Sequence, residues 1–147
     1  MPLSAKIVAL CLAQDPQYNV GVMASAASAG DTVITYSHMP HSPDNAITVY
    51  DTEGFVTPRL HRGGTTVDKP GISIHIRGQT YDEAEAIMEG VIAIMKTVYR
   101  RTVAVNANNH TIVAIHRRGT PVNLGHEADG RRQRFSLNAI ASLLQEP

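Results

Sequence analysis

The sequence has few of the residues that small proteins use for cross-links, metal clusters or aromatic stacking. Its 147 residues include one cysteine, two phenylalanines and no tryptophan. The single thiol, Cys11, excludes an internal disulfide and fits synthesis in a reducing cytosol. With so few large aromatic rings, the sequence does not predict a stacking platform for nucleic-acid bases.

Long apolar runs are also missing. The longest, Ile7 to Ala13, is far shorter than the roughly 20 residues that a membrane span takes. The N-terminus lacks the basic region and cleavage pattern of a signal peptide. We therefore expect no membrane partner. The length predicts a single domain over residues 1–147, large enough to fold around its own core.

The net charge is zero, but it is distributed unevenly along the chain. Residues 1–95 contain five basic and ten acidic residues, whereas residues 96–147 contain eight basic and three acidic ones. Chance and helix-end preferences explain such a bias in many proteins. Two other interpretations remain open: an acidic patch on one copy that meets a basic patch on the next, and a basic wall that faces DNA.

The first half of the chain predicts one helix, two strands and a long connection. Residues 3–14 are apolar nearly all round, which is typical of a short buried helix. Residues 32–36 and 46–50 are β-branched or alternating, and both predict strands. We expect Asp51 to Gly54 to turn the chain. Residues 55–70 should then form a long loop or a loose hairpin, and a loop of this length is usually functional, so it is a candidate arm.

The middle of the chain contains the clearest strand and the clearest helix. In Gly71 to Gly78, isoleucines alternate with Ser73, His75 and Arg77, which predicts one packed face and one polar face towards solvent or a partner. Thr80 and Glu83 form a capping box before a helix over residues 81–99 with a broad apolar stripe. A second line on this helix has only small residues, and Gly90 within it favours close approach of another element.

The last third of the chain is β-like. Thr111 to His116 predicts a central strand because both of its faces are apolar. Arg132 to Leu144 predicts a long final strand, with a C-terminal helix over residues 137–145 as the alternative. Helices and strands then follow in the order helix, two or three strands, helix, two or three strands. This order predicts an α+β fold: a mixed, mostly antiparallel sheet with the helices packed on one face.

The sequence gives no pattern that supports catalysis. His38 and His41 have a metal-ligand spacing, but Pro40 prevents a helix from aligning them, and no second ligand pair follows. Cys11 lies in an apolar helix, where a thiol is inert. Glu127 and Asp129 lie in a turn and are too few for a calcium loop. We therefore predict no catalytic, cofactor-binding or metal-binding residue, and a protein that is not an enzyme.

Three groups of residues carry a family resemblance. The first is Pro43-Asp44-Asn45, then Ile47 to Asp51 and Gly54. The second is Pro70 to Gly78, then Tyr81, Glu83 and Ala84. The third is Leu124-Gly125, Asp129-Gly130-Arg131 and Phe135 to Asn138. In this order and spacing, over residues 40–140, they resemble the tail terminator (minor capsid) proteins of long-tailed bacteriophages. Residues 55–69 have no counterpart in that pattern, and His126 to Ala128 resembles an insertion or a variant of a shorter turn.

The resemblance implies a structural virion protein of the tail and neck, assembled in the host cytoplasm. Such a subunit forms a ring, commonly a homohexamer, that caps the tail tube and offers a surface to head-completion or connector proteins. Its expected partners are therefore further copies of itself, the tail tube protein and a head-completion or connector protein. DNA passing through the ring would be contacted without sequence specificity.

The residues proposed for subunit or partner contacts are polar, basic or small. They are Arg59, Arg62, His75, Arg77, Gly90, Arg117, Arg118, Arg131 and Arg132. Two other functions remain open at this stage. One is a different neck component, such as a head-completion or connector protein, and the other is a small metal-binding or ligand-binding enzyme domain that uses the histidines.

Overall fold

A computed structural model gives the fold as two helices and eight strands. It describes residues 4–14, 20–23, 31–41, 43–55, 66–105, 107–126 and 132–145. In chain order the elements are α1 (Ser4–Ala13), β1 (Val22–Met23), β2 (Val33–Tyr36), β3 (Ala46–Phe55), β4 (Thr66–Gly78), α2 (Tyr81–Thr97), β5 (Arg101–Val105), β6 (Asn108–Arg117), β7 (Val122–His126) and β8 (Gln133–Gln145).

The strands form one sheet in the order β1-β2-β3-β4-β8-β6-β5, and β7 pairs with β8 beside β6. The β1–β2 and β2–β3 pairs are parallel, and every other pair is antiparallel. The predicted α+β class with a mostly antiparallel sheet is confirmed. β6 and β7 run in the same direction along β8, so together they flank most of that long strand.

Both helices cover the apolar face of the sheet. α1 packs mainly on β2 and β3, and α2 packs on β4, β6 and β8. Ile72, Ile74 and Ile76 of β4 are fully buried on this face, as the alternation in the sequence predicts. Side chains from both helices and six of the strands join one hydrophobic cluster. Burial of each large side chain in it stabilises the fold by about 1.5–3 kcal/mol before ordering costs.

Local signals determine where α2 begins and how closely it packs. The Thr80 side chain accepts a hydrogen bond from the Glu83 amide at 3.3 Å, which confirms the predicted N-cap. A Cβ on Gly90 would lie 2.6 Å from Cγ1 of Val20, so the expected close approach is real, and Val20 makes it. The helix ends at Thr97, two residues earlier than predicted, and Tyr99 is 75% exposed rather than part of the apolar stripe.

The predicted turn at Asp51 to Gly54 is wrong, because these residues belong to β3. The register between β3 and β4 shifts between Thr52 and Phe55. Gly54 approaches Gly71 closely there, and a Cβ on Gly54 would lie 2.3 Å from the Gly71 nitrogen. The glycine therefore allows two backbones to approach rather than reversing the chain.

The predicted loop or loose hairpin at residues 55–70 is only partly visible. Phe55 ends β3 and pairs with Lys69, and residues 66–70 form the first part of β4. Residues 56–65 lie outside the described residues. The functional arm expected there stays a prediction.

The last third of the chain contains more strands than predicted. β6 lies between β8 and β5, which confirms the predicted central strand. β8 runs from Gln133 to Gln145, so the final strand is confirmed and the alternative C-terminal helix is wrong. β5 and β7 were not predicted from the sequence. Four strands follow each helix, where two or three were expected.

Candidate functional site

Two buried arginines hold a loop over the polar face of the sheet. β2 and β3 are parallel neighbours, and the described residues of the connection between them, 37–41 and 43–45, are not helical. Such a connection leaves backbone carbonyls that need donors. Arg77 on β4 is 2% exposed and supplies them. Its Nε donates to the Asp44 carbonyl at 2.9 Å, and its Nη2 donates to the Pro43 carbonyl at 2.5 Å.

Arg132 reaches the same loop from the residue before β8. It is 8% exposed, and its Nη1 donates to the His41 carbonyl at 2.5 Å. The same nitrogen lies 3.7 Å from Oδ1 of Asp44, a carboxylate that is itself largely exposed. The Asn45 side chain accepts from the Gln79 amide at 2.9 Å. We call Arg77, Arg132 and the loop carbonyls that they bind the loop clamp.

The motif residues after Arg77 position the start of α2. A Cβ on Gly78 would lie 2.5 Å from the Ala84 nitrogen, so only glycine lets the first turn of the helix fold back on the strand. Tyr81 and Phe135 pack edge to face with ring centroids 5.4 Å apart. The short motifs quoted above therefore meet one another in space. Their contacts with one another stabilise the fold of the chain.

His75 lies on the polar face of β4, half-buried between Tyr50 and Arg134. Its ring is edge-on to Tyr50 at 4.9 Å between centroids, and Nη2 of Arg134 lies 3.3 Å from Nδ1. Burial lowers the pKa of His75 below its usual value of 6.5, and the nearby Arg134 charge lowers it further. Because a guanidinium only donates, Nδ1 accepts this hydrogen bond and the imidazole is neutral at pH 7.

The described residues among those predicted for subunit contacts lie at separate places in the fold. Arg77 and Arg132 point into the loop clamp rather than outwards, so the polar face of β4 is closed to solvent at Arg77. Gly90 faces Val20 within the same subunit. Arg117 and Arg118 are exposed at the end of β6. Arg59, Arg62 and Arg131 lie outside the described residues, and a contact role for any of the nine stays a prediction.

The described side chains offer little that resembles a reaction centre. Across the described ranges, no three His, Cys, Asp or Glu side chains lie together as a metal site would require. His38 and His41 are exposed in the β2–β3 loop, and Cys11 is fully buried in α1. Glu127 and Asp129, the weak candidate for a cation, lie outside the described residues. Neither of the two described helices combines the length and the apolar character that crossing a membrane demands.

The loop clamp is the main feature that sequence reasoning missed. The alternation in β4 indicated that Arg77 points away from the isoleucines, and this is correct. It did not indicate that the opposite face is covered at that position. A usable signal was present: the proline-rich segment from Pro40 to Asn45 has few backbone donors of its own, and a lone arginine in a strand can satisfy its carbonyls.

Comparison with known proteins identifies the family. A family described as "Bacteriophage tail terminator protein" matches residues 17–144, which is most of the chain. This protein belongs to the bacteriophage tail terminator family. As a member it is a structural protein of the phage tail, and the family resemblance drawn from the short motifs is confirmed. No protein of curated function matches the chain in sequence.

The tail terminator fold recurs in a solved virion. A chain from the virion of a native gene transfer agent particle superposes with a TM-score of 0.51 at 9% sequence identity. The alignment covers 76% of this chain and 78% of the other. At so low an identity the match establishes a shared fold. The loop clamp and the Gly78 contact are therefore features of a tail terminator protein.

Proposed function

We propose that this tail terminator acts as a ring that caps the tail tube and joins it to the head. The family match over residues 17–144 carries the proposal. In this function each subunit presents one surface to the tail tube protein and another to a head-completion or connector protein. The ring is made of identical copies, six in number, and belongs to the tail and neck of the virion.

The residues that define the family pattern support a structural role. Arg77 binds loop carbonyls, Gly78 admits the first turn of α2, and Tyr81 packs on Phe135. None of them needs a substrate to explain its position. Packing and hydrogen bonds of this kind give a protein the fixed shape that a structural role requires. We therefore propose that the protein works without catalysis, and that assembly takes place in the host cytoplasm.

The ring proposal is tested by light scattering and negative-stain imaging of the purified protein, alone and with isolated tail tubes. We expect rings of six copies and density at one end of each tube. A protein that stays monomeric and does not associate with tube ends would overturn the proposal.

A knockout phage separates the tail terminator from another neck component. Loss of this protein should give overlong or uncapped tails. Leaking or unattached heads on tails of normal length would instead assign it to head completion or to the connector. Turnover of a small molecule that disappears when one side chain is replaced would contradict the non-catalytic role.

A further inference from the structure

The second half of β6 has an outer edge that no described strand covers. β5 begins at Arg101, which pairs with Ile112, and the Arg100 amide donates to the Val113 carbonyl at 3.1 Å. Past that point, residues 114–117 pair with β8 on one side and with no described strand on the other. β7 follows β6 along the same side of β8, so it lies in line with β6 and leaves this outer edge open. An unpaired strand edge is a template for another strand.

The hydrogen-bonding pattern of β6 shows which backbone groups face outwards. The Arg118 amide donates to the Asn138 carbonyl at 2.8 Å, and this pair continues the register of β6 on β8. In an antiparallel ladder, residues that bond to one neighbour alternate with residues whose backbone groups face the other way. His116, two residues before Arg118, therefore bonds to β8 as well. The amides and carbonyls of Ile115 and Arg117 point away from β8, towards the open side.

A groove of about 260 Å³ lies beside this edge, beneath the C-terminal half of α2. Ile115 and Arg117 are on the helix-covered face of the sheet, because they pair with the buried Ala141 and Ala139. On this face, a side chain of an added strand that lies opposite Ile115 would enter the groove and meet the apolar side chains of the helix. The residues that line the groove come from α2, its C-cap and the strand edge: Ile92, Met95, Lys96, Val98 and residues 114–117.

The rim of the groove is basic. Lys96 and Arg117 line it and are exposed, and Arg100 is exposed at the end where its amide bonds to Val113. None of the described lining residues is acidic, and neither Lys96 nor Arg117 forms an ion pair with a described acid. Opposite charges in cross-strand positions stabilise a strand pair. The rim therefore favours a strand that brings an acidic side chain to it.

We propose that residues 114–117 and the groove beside them bind an extended, acidic segment of a partner protein, which adds to the sheet as a short antiparallel strand. An acidic side chain of this segment lies opposite Arg117. An apolar side chain two residues later lies opposite Ile115 and fills the groove, because alternate residues of a strand share a face. The inference rests on the structural role proposed above, for which it names a surface towards another protein of the tail or neck.

The other described sheet edges are less suited to an added strand. β1 has only two residues, and β7 has a register shift between Asn123 and Gly125 that distorts its outer edge. β5 packs against α1, where Nη1 of Arg101 lies 3.9 Å from the Cys11 sulfur. Among the described edges, that of residues 114–117 combines regular pairing on its inner side with a groove and a basic rim on its outer side.

A labelled peptide tests the strand addition. The probe is fluorescein-labelled Ser-Thr-Glu-Thr-Val-Thr-Ser, in which the acidic and apolar residues are two apart and the rest favour extended backbone. We expect its fluorescence anisotropy to rise on titration with the purified protein, with a Kd below about 1 mM. N-methylation of the glutamate and valine amides, which would face β6, should abolish binding. N-methylation of the threonine between them, whose amide would face away, should leave the Kd within about twofold.

Two results of the titration would overturn the strand addition. One is the absence of binding by the unmodified peptide at about 1 mM protein. The other is equal binding by the peptide that is N-methylated at glutamate and valine and the one that is N-methylated at the intervening threonine.

Charge reversal tests the acidic character of the partner segment. Arg117→Glu should weaken binding of the glutamate peptide about threefold or more, and it should strengthen binding of the same peptide with lysine in place of glutamate. Lys69→Glu reverses an exposed charge on β4, two strands away from the groove, and should change neither affinity. Equal affinity of the glutamate and lysine peptides for the wild-type protein would overturn the acidic partner.

Amide hydrogen exchange measured by NMR locates the contact on the strand. In the protein alone, the Ile115 and Arg117 amides should exchange faster than the His116 amide, because only the last bonds to β8. Binding of the peptide should slow exchange at Ile115 and Arg117 and leave His116 unchanged. Slow exchange at Ile115 and Arg117 in wild-type rings without peptide would make a second copy the occupant and would overturn the partner protein.

The binding measurements separate failure of this inference from failure of the ring, because they use the protein alone. Rings that form by light scattering but do not bind the peptide would overturn the strand addition and leave the ring proposal standing. A protein that binds the peptide but stays monomeric, with and without tail tubes, would overturn the ring and support the binding surface.

Discussion

At the residue scale, Arg77 shows how burial changes the meaning of a charged side chain. Among the described residues it is the largest fully buried side chain, and its partners are backbone carbonyls of the β2–β3 loop. A buried guanidinium is tolerated because it satisfies several acceptors at once, and those acceptors would otherwise be left without donors. The residue therefore stabilises the loop and the sheet edge together.

We predict that Arg77→Met lowers the free energy of unfolding by about 3 kcal/mol, because it removes the donors and leaves the carbonyls of Pro43 and Asp44 without hydrogen bonds from this side chain. Arg77→Lys should cost less, about 1–2 kcal/mol, since one ammonium cannot reach all of the acceptors. Urea denaturation of the monomer measures both. Lys69→Met, an exposed position on the same strand, is the control and should change the value by under about 0.5 kcal/mol. A wild-type value for Arg77→Met would contradict the loop clamp.

His75 predicts a dependence of stability on pH. Its pKa is lowered in the folded protein by burial and by Arg134, so at acidic pH the unfolded chain binds a proton more readily than the folded one. The contribution of His75 to the free energy of unfolding is fully present above pH 6.5, and it falls as the pH drops from 6.5 towards the pKa of the folded protein. His75→Asn keeps an acceptor for Arg134 and should flatten the unfolding free energy over that window. His116→Asn, at an exposed position, should keep the wild-type slope.

At the scale of elements, α2 is determined by signals along its own sequence and by one contact from elsewhere. The N-cap at Thr80 and the apolar stripe follow from local sequence. The glycine at position 90 weakens the helix by about 1 kcal/mol relative to alanine and has no local explanation. Val20, which precedes β1, fills the space that a side chain at position 90 would take.

We predict that Gly90→Ala destabilises the protein by about 1 kcal/mol, because overlap with Val20 outweighs the gain in helix propensity. In a Val20→Ala background the same substitution should stabilise by up to about 1 kcal/mol. A double-mutant cycle in urea measures the difference. Ala86→Gly, at an exposed position of the same helix, calibrates the propensity term. Equal stabilisation by Gly90→Ala in both backgrounds would rule out the contact.

At the scale of the whole molecule, the segregation of charge along the sequence becomes a segregation on the sheet. Residues 1–95 supply the exposed acids Asp51 and Glu53 of β3, where Asp51 Oδ1 accepts hydrogen bonds from Ser4 and the Ala5 amide, and residues 96–147 supply the exposed bases Lys96 and Arg117. Complementarity between copies, one of the three interpretations of this uneven charge, stays a prediction in which exposed acidic residues of one copy attract exposed basic residues of the next. This argues for an assembly that depends on ionic strength.

We predict that ring assembly weakens when sodium chloride is raised from about 0.1 M to about 1 M, where the Debye length falls from about 10 Å to about 3 Å. Light scattering across a salt series measures the effect. Assembly that strengthens steadily with chloride would indicate an interface governed by apolar burial instead.

The sequence by itself determined the elements whose signals are local. The cap and stripe of α2, the alternation in β4, the buried character of α1 and the long final strand were all predicted, because each depends on neighbours a few residues apart. The family followed from the order of short motifs.

Only the tertiary structure decided what those motifs touch. The sequence predicts a turn at Asp51 to Gly54, yet these residues form part of β3 because Gly71 leaves room for their backbone. The sequence predicts Arg77 on a polar surface, yet its side chain is buried because it donates hydrogen bonds to carbonyls of the β2–β3 loop. Such relations depend on residues far apart in sequence, and spacing along the chain does not specify them.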